Sequence, residues 1–198
     1  VAKRLGAQIL SADSIQIYRG LDIGSAKPTR EEMEGVPHHM LDIAEVDGPT
    51  FSVAAYQQQA RAIIHSLQQA HILPLVVGGT GLYISALTSP LDFTETAGDA
   101  SLRQALLEQE RQRPGSLYAS LQEEDPASAQ RLHPNDIKRI VRALEVKRLT
   151  GKPIGAAFSQ AASAPCPYEL TMVGLTMPRP LLYARIEQRV DQMLEQGL

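Results

Sequence analysis

The sequence contains few of the residues that would build cross-links, metal centres or a membrane span. Its one cysteine, Cys166, excludes an internal disulfide framework and leaves too few thiolates for a cysteine-based zinc site. None of its apolar runs approaches the roughly 20 residues that span a bilayer, and its beginning lacks the basic head and apolar stretch of a secretory signal. His38 and His39 are adjacent, so they point to opposite sides of a strand, and the other three histidines have no ligand-like spacing to carboxylates. These absences predict a cytoplasmic protein without a membrane partner and without a metal site built from its own side chains.

The sequence also has no excess of positive charge. Lys and Arg number 19 against 22 Asp and Glu, which gives a formal net charge of -3. A nucleic-acid partner would therefore have to meet a local basic patch, because the surface as a whole is not basic. The fractions of hydrophobic residues (43%) and charged residues (21%) are typical of a globular protein. A chain of 198 residues is long enough for one core with a small additional lobe.

Strand and helix patterns alternate in the first part of the chain. Residues 7–12 and 72–77 are short apolar runs typical of buried strands, and His39–Ile43 is a further candidate strand. Apolar spacing predicts a helix over Ser52–Ala70. Strands that alternate with helices form βαβ units with right-handed crossovers. The sequence therefore predicts an α/β fold with a parallel sheet.

The middle of the chain shows only helical patterns, from residue 99 to residue 150. Asp125 suits the N-cap of one helix, with Pro126 at the first helical position. Asn135 is the expected N-cap of another helix, which ends before Gly151. These patterns predict an all-helical insertion.

The α/β character returns near the end, where we predict a strand over Tyr168–Met177 and an amphipathic helix over Pro178–Leu198. The predicted domains are an α/β core at residues 1–91 and 161–198 and a helical insertion at residues 92–160.

The stretch from Asp13 to Pro28 carries the strongest functional pattern. Asp13 ends the first buried strand, so its carboxylate is expected at the carboxyl edge of the sheet, where open α/β folds bind ligands. The following positions mix hydrogen-bonding and small residues, a composition that favours a ligand-binding loop. Taken alone, an Asp in this position more often caps a helix. The length of the stretch favours the functional interpretation.

Gly78-Gly79-Thr80-Gly81 follows the apolar run at 72–77 and opens a helix. Its backbone amides can approach an anion or a base closely, although such a turn is often only a tight strand-to-helix connection.

Two further segments concentrate cations. Between Lys138 and Lys152 there are six Lys and Arg against one acid, Glu145. A solvated basic face is the usual explanation, but in an acidic protein this concentration favours a surface that follows phosphates. In the last helix, Arg185 and Arg189 lie four residues apart on one side. They could hold a diphosphate or form ordinary ion pairs.

Together these blocks resemble the tRNA dimethylallyltransferase family, enzymes that prenylate an adenine beside the anticodon. The matching blocks are DSIQIYRGLDIGSAKP from Asp13, GGTGLY from Gly78, HPND and RALEV between His133 and Val146, and LYARIEQR up to Arg189. They follow the family's order, with Ser25 at a position where the family more often has Thr. The resemblance implies an α/β, P-loop NTPase-like fold with helices on both faces of the sheet. It also implies that this chain lacks the family's N-terminal P-loop and C-terminal helices, so we expect the chain alone to be inactive.

The resemblance implies a role for each matched block. Asp13 would be the general base, Thr80 would line the channel for the flipped adenine, and Arg189, assisted by Arg185, would bind the diphosphate. The residues implied to contact the tRNA anticodon stem-loop are Asp13, Ser14, Ile15, Gln16, Thr80, Arg103, Lys138, Arg139, Ile140, Val141 and Arg142.

The implied reaction transfers a dimethylallyl group from dimethylallyl diphosphate to N6 of the adenine that follows the anticodon on its 3′ side. Mg²⁺ is the implied cofactor, and we expect a monomer. Three alternatives stay open: an adenosine-nucleotide isopentenyltransferase, a non-catalytic RNA-binding fragment, and a small-molecule kinase on the same scaffold. The basic helical insertion argues against the first, and the block that begins at Asp13 argues against the kinase.

Overall fold

The computed structural model describes residues 1–89, 98–155 and 165–198. The strands are β1 (Gln8–Ser11), β2 (His38–His39) and β3 (Pro74–Val77). The helices are α1 (Ala2–Leu5), α2 (Val53–Gln69), α3 (Gly81–Thr88), α4 (Ala100–Gln112), α5 (Ser116–Glu124), α6 (Pro126–Ala129), α7 (Ile137–Thr150) and α8 (Arg179–Glu195). Within the described ranges, no helix combines the length and the apolarity needed to cross a membrane.

The chain divides into two compact units. The first, which we call the α/β unit, comprises Val1–Thr88 and Tyr168–Leu198. The second, the helical unit, comprises Ser89–Pro167. Each unit has its own cluster of buried apolar residues.

The three strands form a parallel sheet in the order β2-β1-β3. Strand β1 lies in the centre, where Ile9 pairs with His38 on one side and with Leu75 on the other. A central strand needs apolar side chains on both faces, and Leu10 is fully buried. The prediction of an α/β fold with a parallel sheet is therefore confirmed.

Helix α2 packs on this sheet through one face. Ser52 begins it, because its hydroxyl accepts the N–H of Ala55 at 3.1 Å. The buried residues of its apolar stripe recur at helical spacing, and the hydrophobic core that they join includes β1 and α3. These stripe residues are Tyr56, Ala60, Ile64 and Leu67.

The helical unit is built around α7. The buried residues of its core are Leu106, Leu117, Leu121, Ala129, Ile140, Val141, Ala143 and Leu144. Asp125 caps α6 as predicted, since its carboxylate accepts the N–H of Ser128 at 3.1 Å and Pro126 occupies the first helical position.

The predicted N-cap of α7 is wrong by one residue. Asp136, the neighbour of Asn135, caps the helix by accepting the N–H of Arg139 at 3.2 Å. Asn135 belongs to the preceding turn, where its N–H donates to Nδ1 of His133 at 3.1 Å. Gly151 ends the helix in the left-handed conformation, with φ of 72°.

The predicted strand at His39–Ile43 stops after His39. Met40 and Asp42 have φ of 64° and 54°, and a strand cannot continue through this left-handed region. Hydrogen bonds hold the turn in place: the N–H of Asp42 donates to the Gln16 carbonyl at 3.2 Å, and Arg19 Nε donates to the Asp42 carbonyl at 2.8 Å.

The predicted strand at Tyr168–Met177 is also wrong. The segment pairs with no described strand, and apolar side chains within it are exposed, Val173 by 77% and Leu175 by 95%. An apolar run becomes a strand only where a neighbouring strand completes its hydrogen bonds. The helix predicted after it is confirmed as α8.

Candidate active site at the carboxyl edge of the sheet

The ends of β1 and β3 bring Asp13 and Thr80 together. The two strands are parallel neighbours, so the loops that follow them start at the same edge of the sheet. The N–H of Thr80 donates to the Ala12 carbonyl at 3.1 Å, and Thr80 Oγ1 accepts the N–H of Ser14 at 3.0 Å. The Thr80 hydroxyl also lies 3.4 Å from the Ser14 hydroxyl. Two sequence blocks separated by 66 residues therefore form one polar corner.

Gly78 permits this close approach. A β-carbon at Gly78 would lie 2.3 Å from the Ala12 carbonyl oxygen and 2.8 Å from the Ala12 α-carbon. Both contacts are to backbone, so no side-chain rotation relieves them. The sequence indicates the glycine-rich turn but not which glycine is required, because that depends on which strand is its neighbour.

Asp13 both caps the loop and presents its carboxylate at the edge. Its Oδ1 accepts the N–H of Ile15 at 2.8 Å and the N–H of Gln16 at 3.2 Å. The second oxygen, Oδ2, accepts no hydrogen bond from the described residues. The capping and the functional interpretations are therefore compatible, since one oxygen orders the turn and the other is available. Ile15 lies exposed beside it, by 48%.

Gln16 faces into the loop. Its Oε1 accepts the Ser11 hydroxyl at 3.0 Å, and its Nε2 donates to the carbonyls of Ser25 and Ala26, both at 3.2 Å. The contact of the Gln16 side chain with the tRNA, which the resemblance implies, would compete with these hydrogen bonds. In this conformation, its amide ties the end of β1 to the turn at Ser25.

Lys27 is a site residue that the sequence did not single out. Its side chain is only 5% exposed, and Nζ donates to the Tyr18 carbonyl at 2.7 Å, to Asp22 at 2.6 Å and to Asp42 at 2.5 Å. Burial alone lowers the pKa of Lys27, but the hydrogen bonds and charges of Asp22 and Asp42 outweigh it, and the pKa is raised above its usual 10.5. The ammonium therefore holds three parts of the loop in one arrangement.

Two stacked tyrosines lie next to the end of β1. The rings of Tyr56 and Tyr83 have centroids 3.9 Å apart and planes within 7°. The Tyr56 hydroxyl donates to the Ser11 carbonyl at 3.1 Å. Burial raises the pKa of both phenols, and for Tyr83 the nearby Tyr18 and Asp13 raise it further. Both hydroxyls are therefore neutral at physiological pH.

Of the two predicted diphosphate ligands, one reaches the loop. Arg189, in α8, donates from Nη2 to the Ser25 carbonyl at 3.5 Å, the same carbonyl that Gln16 contacts. Arg185, one turn earlier, is exposed and has no hydrogen-bond partner among the described residues. The structure therefore brings Arg189 to the Asp13 loop and leaves Arg185 at the surface.

The predicted tRNA-contacting residues of the helical unit divide into two groups. Lys138 and Arg139 lie at the start of α7, and Arg139 forms an ion pair with Asp136 at 3.3 Å while its side chain stays 74% exposed. Ile140 and Val141 are only 0% and 3% exposed, in the core of the helical unit. Their side chains serve packing, so a side-chain contact to RNA at these two positions does not fit the structure.

Arg103 and Arg142 come together on one acid. Both donate to the carboxylate of Glu145, Arg103 at 2.9 Å and Arg142 at 2.7 Å. Arg103, on α4, showed no distinctive sequence surroundings, and only the fold shows that it neighbours α7.

The described residues do not form a complete Mg²⁺ site by themselves. In the part of the chain that the structure describes, no group of three or more His, Cys, Asp and Glu side chains is arranged to hold a metal ion. Asp13 supplies a single carboxylate at the corner, with one oxygen already bonded to two amides. Any ion at this corner would need most of its ligands from elsewhere.

Comparison with known proteins gives a consistent set of relatives. The model of the family described as IPP transferase matches residues 16–198. A tRNA dimethylallyltransferase from Symbiobacterium thermophilum is 53% identical over 198 residues, which is 100% of this chain and 61% of that protein. One from Pelotomaculum thermopropionicum is 48% identical over 198 residues, 100% of this chain and 62% of that protein. The chain thus spans less than two thirds of the length of these relatives.

Solved structures agree with this result. The tRNA isopentenylpyrophosphate transferase of Bacillus halodurans is 42% identical, with a TM-score of 0.63 over 99% of this chain and 60% of that one. A eukaryotic dimethylallyltransferase, captured acting on tRNA, is 27% identical, with a TM-score of 0.85 over 99% of this chain and 48% of that one. The α/β, P-loop-like class expected for the sheet is confirmed by these structures.

Proposed function

The chain belongs to the IPP transferase family, and from this premise we propose that it is part of a tRNA dimethylallyltransferase. The proposed reaction moves a dimethylallyl group from dimethylallyl diphosphate to N6 of the adenine that follows the anticodon on its 3′ side. The observation that carries the proposal is the corner at the sheet edge, where Thr80 fixes the turn that begins at Asp13.

Asp13 is proposed to act as the general base. An exocyclic adenine amine is a weak nucleophile, because its lone pair is delocalised into the ring, so removal of a proton helps it to attack. In the proposed step, N6 forms a bond to the allylic C1 carbon while the bond from C1 to the diphosphate oxygen breaks. Oδ2 of Asp13 accepts the N6 proton, and diphosphate leaves. The amides of Ile15 and Gln16 hold the carboxylate in position during this transfer.

The adenine must leave the anticodon loop to reach this corner, at a cost of a few kcal/mol of unstacking. Thr80 and the exposed Ile15 are proposed to receive it. Gln16 supports this pocket from behind through its contacts to Ser11 and Ser25.

Arg189 is proposed as the diphosphate ligand that this chain supplies, and Arg185 as its assistant. The contact of Arg189 with the Ser25 carbonyl keeps the guanidinium near the loop from Asp13 to Pro28. Its other nitrogens can form charge-assisted hydrogen bonds with the diphosphate. Because Arg185 is exposed one turn away, it can reach the same anion from the same side of α8.

Mg²⁺ is proposed as the companion of the diphosphate, since this ion is bound largely through substrate phosphates and keeps several waters. The described residues do not complete a site for it.

Contact with the tRNA stem-loop is proposed for the basic residues at the surface of the helical unit, Arg103, Lys138, Arg139 and Arg142. Because the residues proposed for the reaction all come from one chain, we propose that the protein acts as a monomer. A tRNA substrate also supports the cytoplasm as the proposed location.

The proposal is tested by incubating the full-length protein that contains this chain with labelled dimethylallyl diphosphate and either unmodified tRNA or adenosine monophosphate. We expect label on the tRNA, on N6 of the adenine next to the anticodon, and none on the mononucleotide. Label on the mononucleotide would indicate an adenosine-nucleotide isopentenyltransferase. Tight binding of tRNA without any transfer would indicate a non-catalytic RNA-binding protein.

A further inference from the structure

Glu145 is a charged residue in the interior of the helical unit. Its side chain is 0% exposed, on the α7 face that meets the start of α4. Arg103 Nη2 donates to Oε1 at 2.9 Å and to Oε2 at 3.2 Å, and Arg142 Nη1 donates to Oε2 at 2.7 Å. The backbone N–H of Asp99 donates to Oε1 at 3.0 Å. Burying a carboxylate is costly unless it is paired and hydrogen-bonded, and these contacts meet both conditions.

The two arginines that Glu145 holds are themselves accessible. The side chain of Arg103 is 48% exposed and that of Arg142 is 38% exposed. Because a nitrogen of each touches the same oxygen, Oε2, the two guanidinium groups are neighbours. Like charges at this separation repel each other, and the shared acid offsets the repulsion.

We propose that Glu145 is a positioning residue that fixes Arg103 and Arg142 as a guanidinium pair for one backbone phosphate of the tRNA. Planar guanidinium groups bind phosphate through directed hydrogen bonds, so their orientation matters as well as their charge. The inference rests on the proposed function, because it takes tRNA as the substrate.

Gly98 is part of the same arrangement. A β-carbon at this position would lie 2.4 Å from Arg103 Nη2 and 3.1 Å from Glu145 Oε1. The first atom is the tip of a flexible side chain, so an alanine here would displace the Arg103 guanidinium while the backbone stays in place. Gly98→Ala thus disturbs the guanidinium pair without changing any charge.

The test uses the full-length protein that contains this chain and compares the wild type with Gly98→Ala, Glu145→Gln and the control Gly174→Ala. Gly174 has nothing within 4 Å of its ideal β-carbon and no left-handed φ. Gly174→Ala therefore adds the same methyl group as Gly98→Ala, but this methyl group meets no other residue. The measurements are the Kd for unmodified tRNA at several salt concentrations, the KM values for tRNA and for dimethylallyl diphosphate, and kcat.

We expect Gly98→Ala to weaken tRNA binding about tenfold, the usual effect of losing one hydrogen bond to a charged group. The KM for dimethylallyl diphosphate and kcat should stay at the wild-type values. Glu145→Gln should also weaken tRNA binding, although it makes the protein more positive. A glutamine side chain has only one acceptor oxygen, and its NH₂ group would face guanidinium N–H donors. At least one of the two arginines therefore loses its hydrogen bond to residue 145.

Three results would overturn the inference. Tighter tRNA binding by Glu145→Gln would mean that charge alone decides affinity. Tight binding by Gly98→Ala, equal to that of Gly174→Ala, would mean that the position of Arg103 is irrelevant. A raised KM for dimethylallyl diphosphate, with unchanged tRNA binding, would assign the pair to the diphosphate.

The proposed function fails in a different way, as a wild-type protein that binds tRNA but transfers no dimethylallyl group. The binding comparison would still decide the role of Glu145 in that case. If Glu145→Gln does not fold, Gly98→Ala decides by itself, because all of its ion-pairing groups are retained.

Discussion

At the scale of single residues, the corner of the site depends on the absence of a side chain at Gly78. Replacement by alanine places a β-carbon within 2.3 Å of the Ala12 carbonyl oxygen, and the strand ends must then move apart. We expect Gly78→Ala to lower the free energy of unfolding by about 1–3 kcal/mol, as overpacking does elsewhere.

Urea unfolding of Gly78→Ala and of Gly79→Ala measures this effect. Gly79 is the matched control, because nothing lies within 4 Å of its ideal β-carbon. Equal destabilisation by the two substitutions would show that the approach of β3 to Ala12 is not the cause.

The sequence predicted single residues well where strand ends determine their place. Asp13 and Thr80 follow neighbouring parallel strands, so they had to share an edge. Gln16 and Lys27 were different, because their partners depend on how the loop folds. Asp42, one partner of Lys27, lies in a turn where its φ is 54°, and the sequence does not indicate this left-handed conformation.

At the scale of elements, the loop from Asp13 to Pro28 is held by the buried ammonium of Lys27. Its raised pKa means that folding favours the charged form, so this stabilisation is complete below pH 10.5 and is lost as the pH rises through the raised value. We expect Lys27→Met to lower the free energy of unfolding by about 1–3 kcal/mol at neutral pH, because hydrogen bonds to charged groups disappear.

The check is urea unfolding of both proteins at neutral pH and at strongly alkaline pH. The difference between wild type and Lys27→Met should shrink as the pH rises above 10.5. A difference that stays constant across this range would contradict a role for the charge.

Helix α7 exposes Lys138 and Arg139 at its start and buries the two residues that follow them. The resemblance also included Ile140 and Val141 among the tRNA-contacting residues, but the core of the helical unit buries both. We expect Lys138→Gln with Arg139→Gln to weaken tRNA binding and to flatten its dependence on salt. The slope should fall by about one unit for each tRNA phosphate that the variant no longer neutralises.

The matched control for this pair is Lys3→Gln with Arg4→Gln, two adjacent exposed cations on α1. Both double variants remove the same charge, so a simple effect of net charge would appear equally in both. The same salt slope for the two variants would make the exposed end of α7 an ordinary solvated face.

At the scale of the whole molecule, the two units have separate buried clusters. Leu144 is fully buried in the helical unit and belongs to its cluster alone. We expect Leu144→Ala to lower the stability of the helical unit by about 2–5 kcal/mol. Amide hydrogen exchange should then rise at residues 98–155, with a smaller change in β1–β3. An equal rise in both units would show that the chain unfolds as one cooperative body.

The fold class followed from the alternation of strands and helices, since βαβ connections satisfy that order. The strand predicted over Tyr168–Met177 failed, because period and apolarity do not show whether a partner strand is adjacent. Likewise, the contact between Arg103 and Glu145 joins residues 42 positions apart. Local patterns contain no signal for such a pairing, and it requires the packing of α4 on α7.

The central claim is that Asp13 accepts the proton from the adenine amine, and Asp13→Asn tests it most directly. An asparagine Oδ1 can still accept the N–H groups of Ile15 and Gln16, so the turn and the tRNA affinity should be kept. The measurement is the single-turnover rate at which the full-length protein that contains this chain transfers dimethylallyl to bound, unmodified tRNA. The proposed mechanism predicts a rate about 10²–10⁴-fold below wild type. A rate equal to that of the wild type would contradict it.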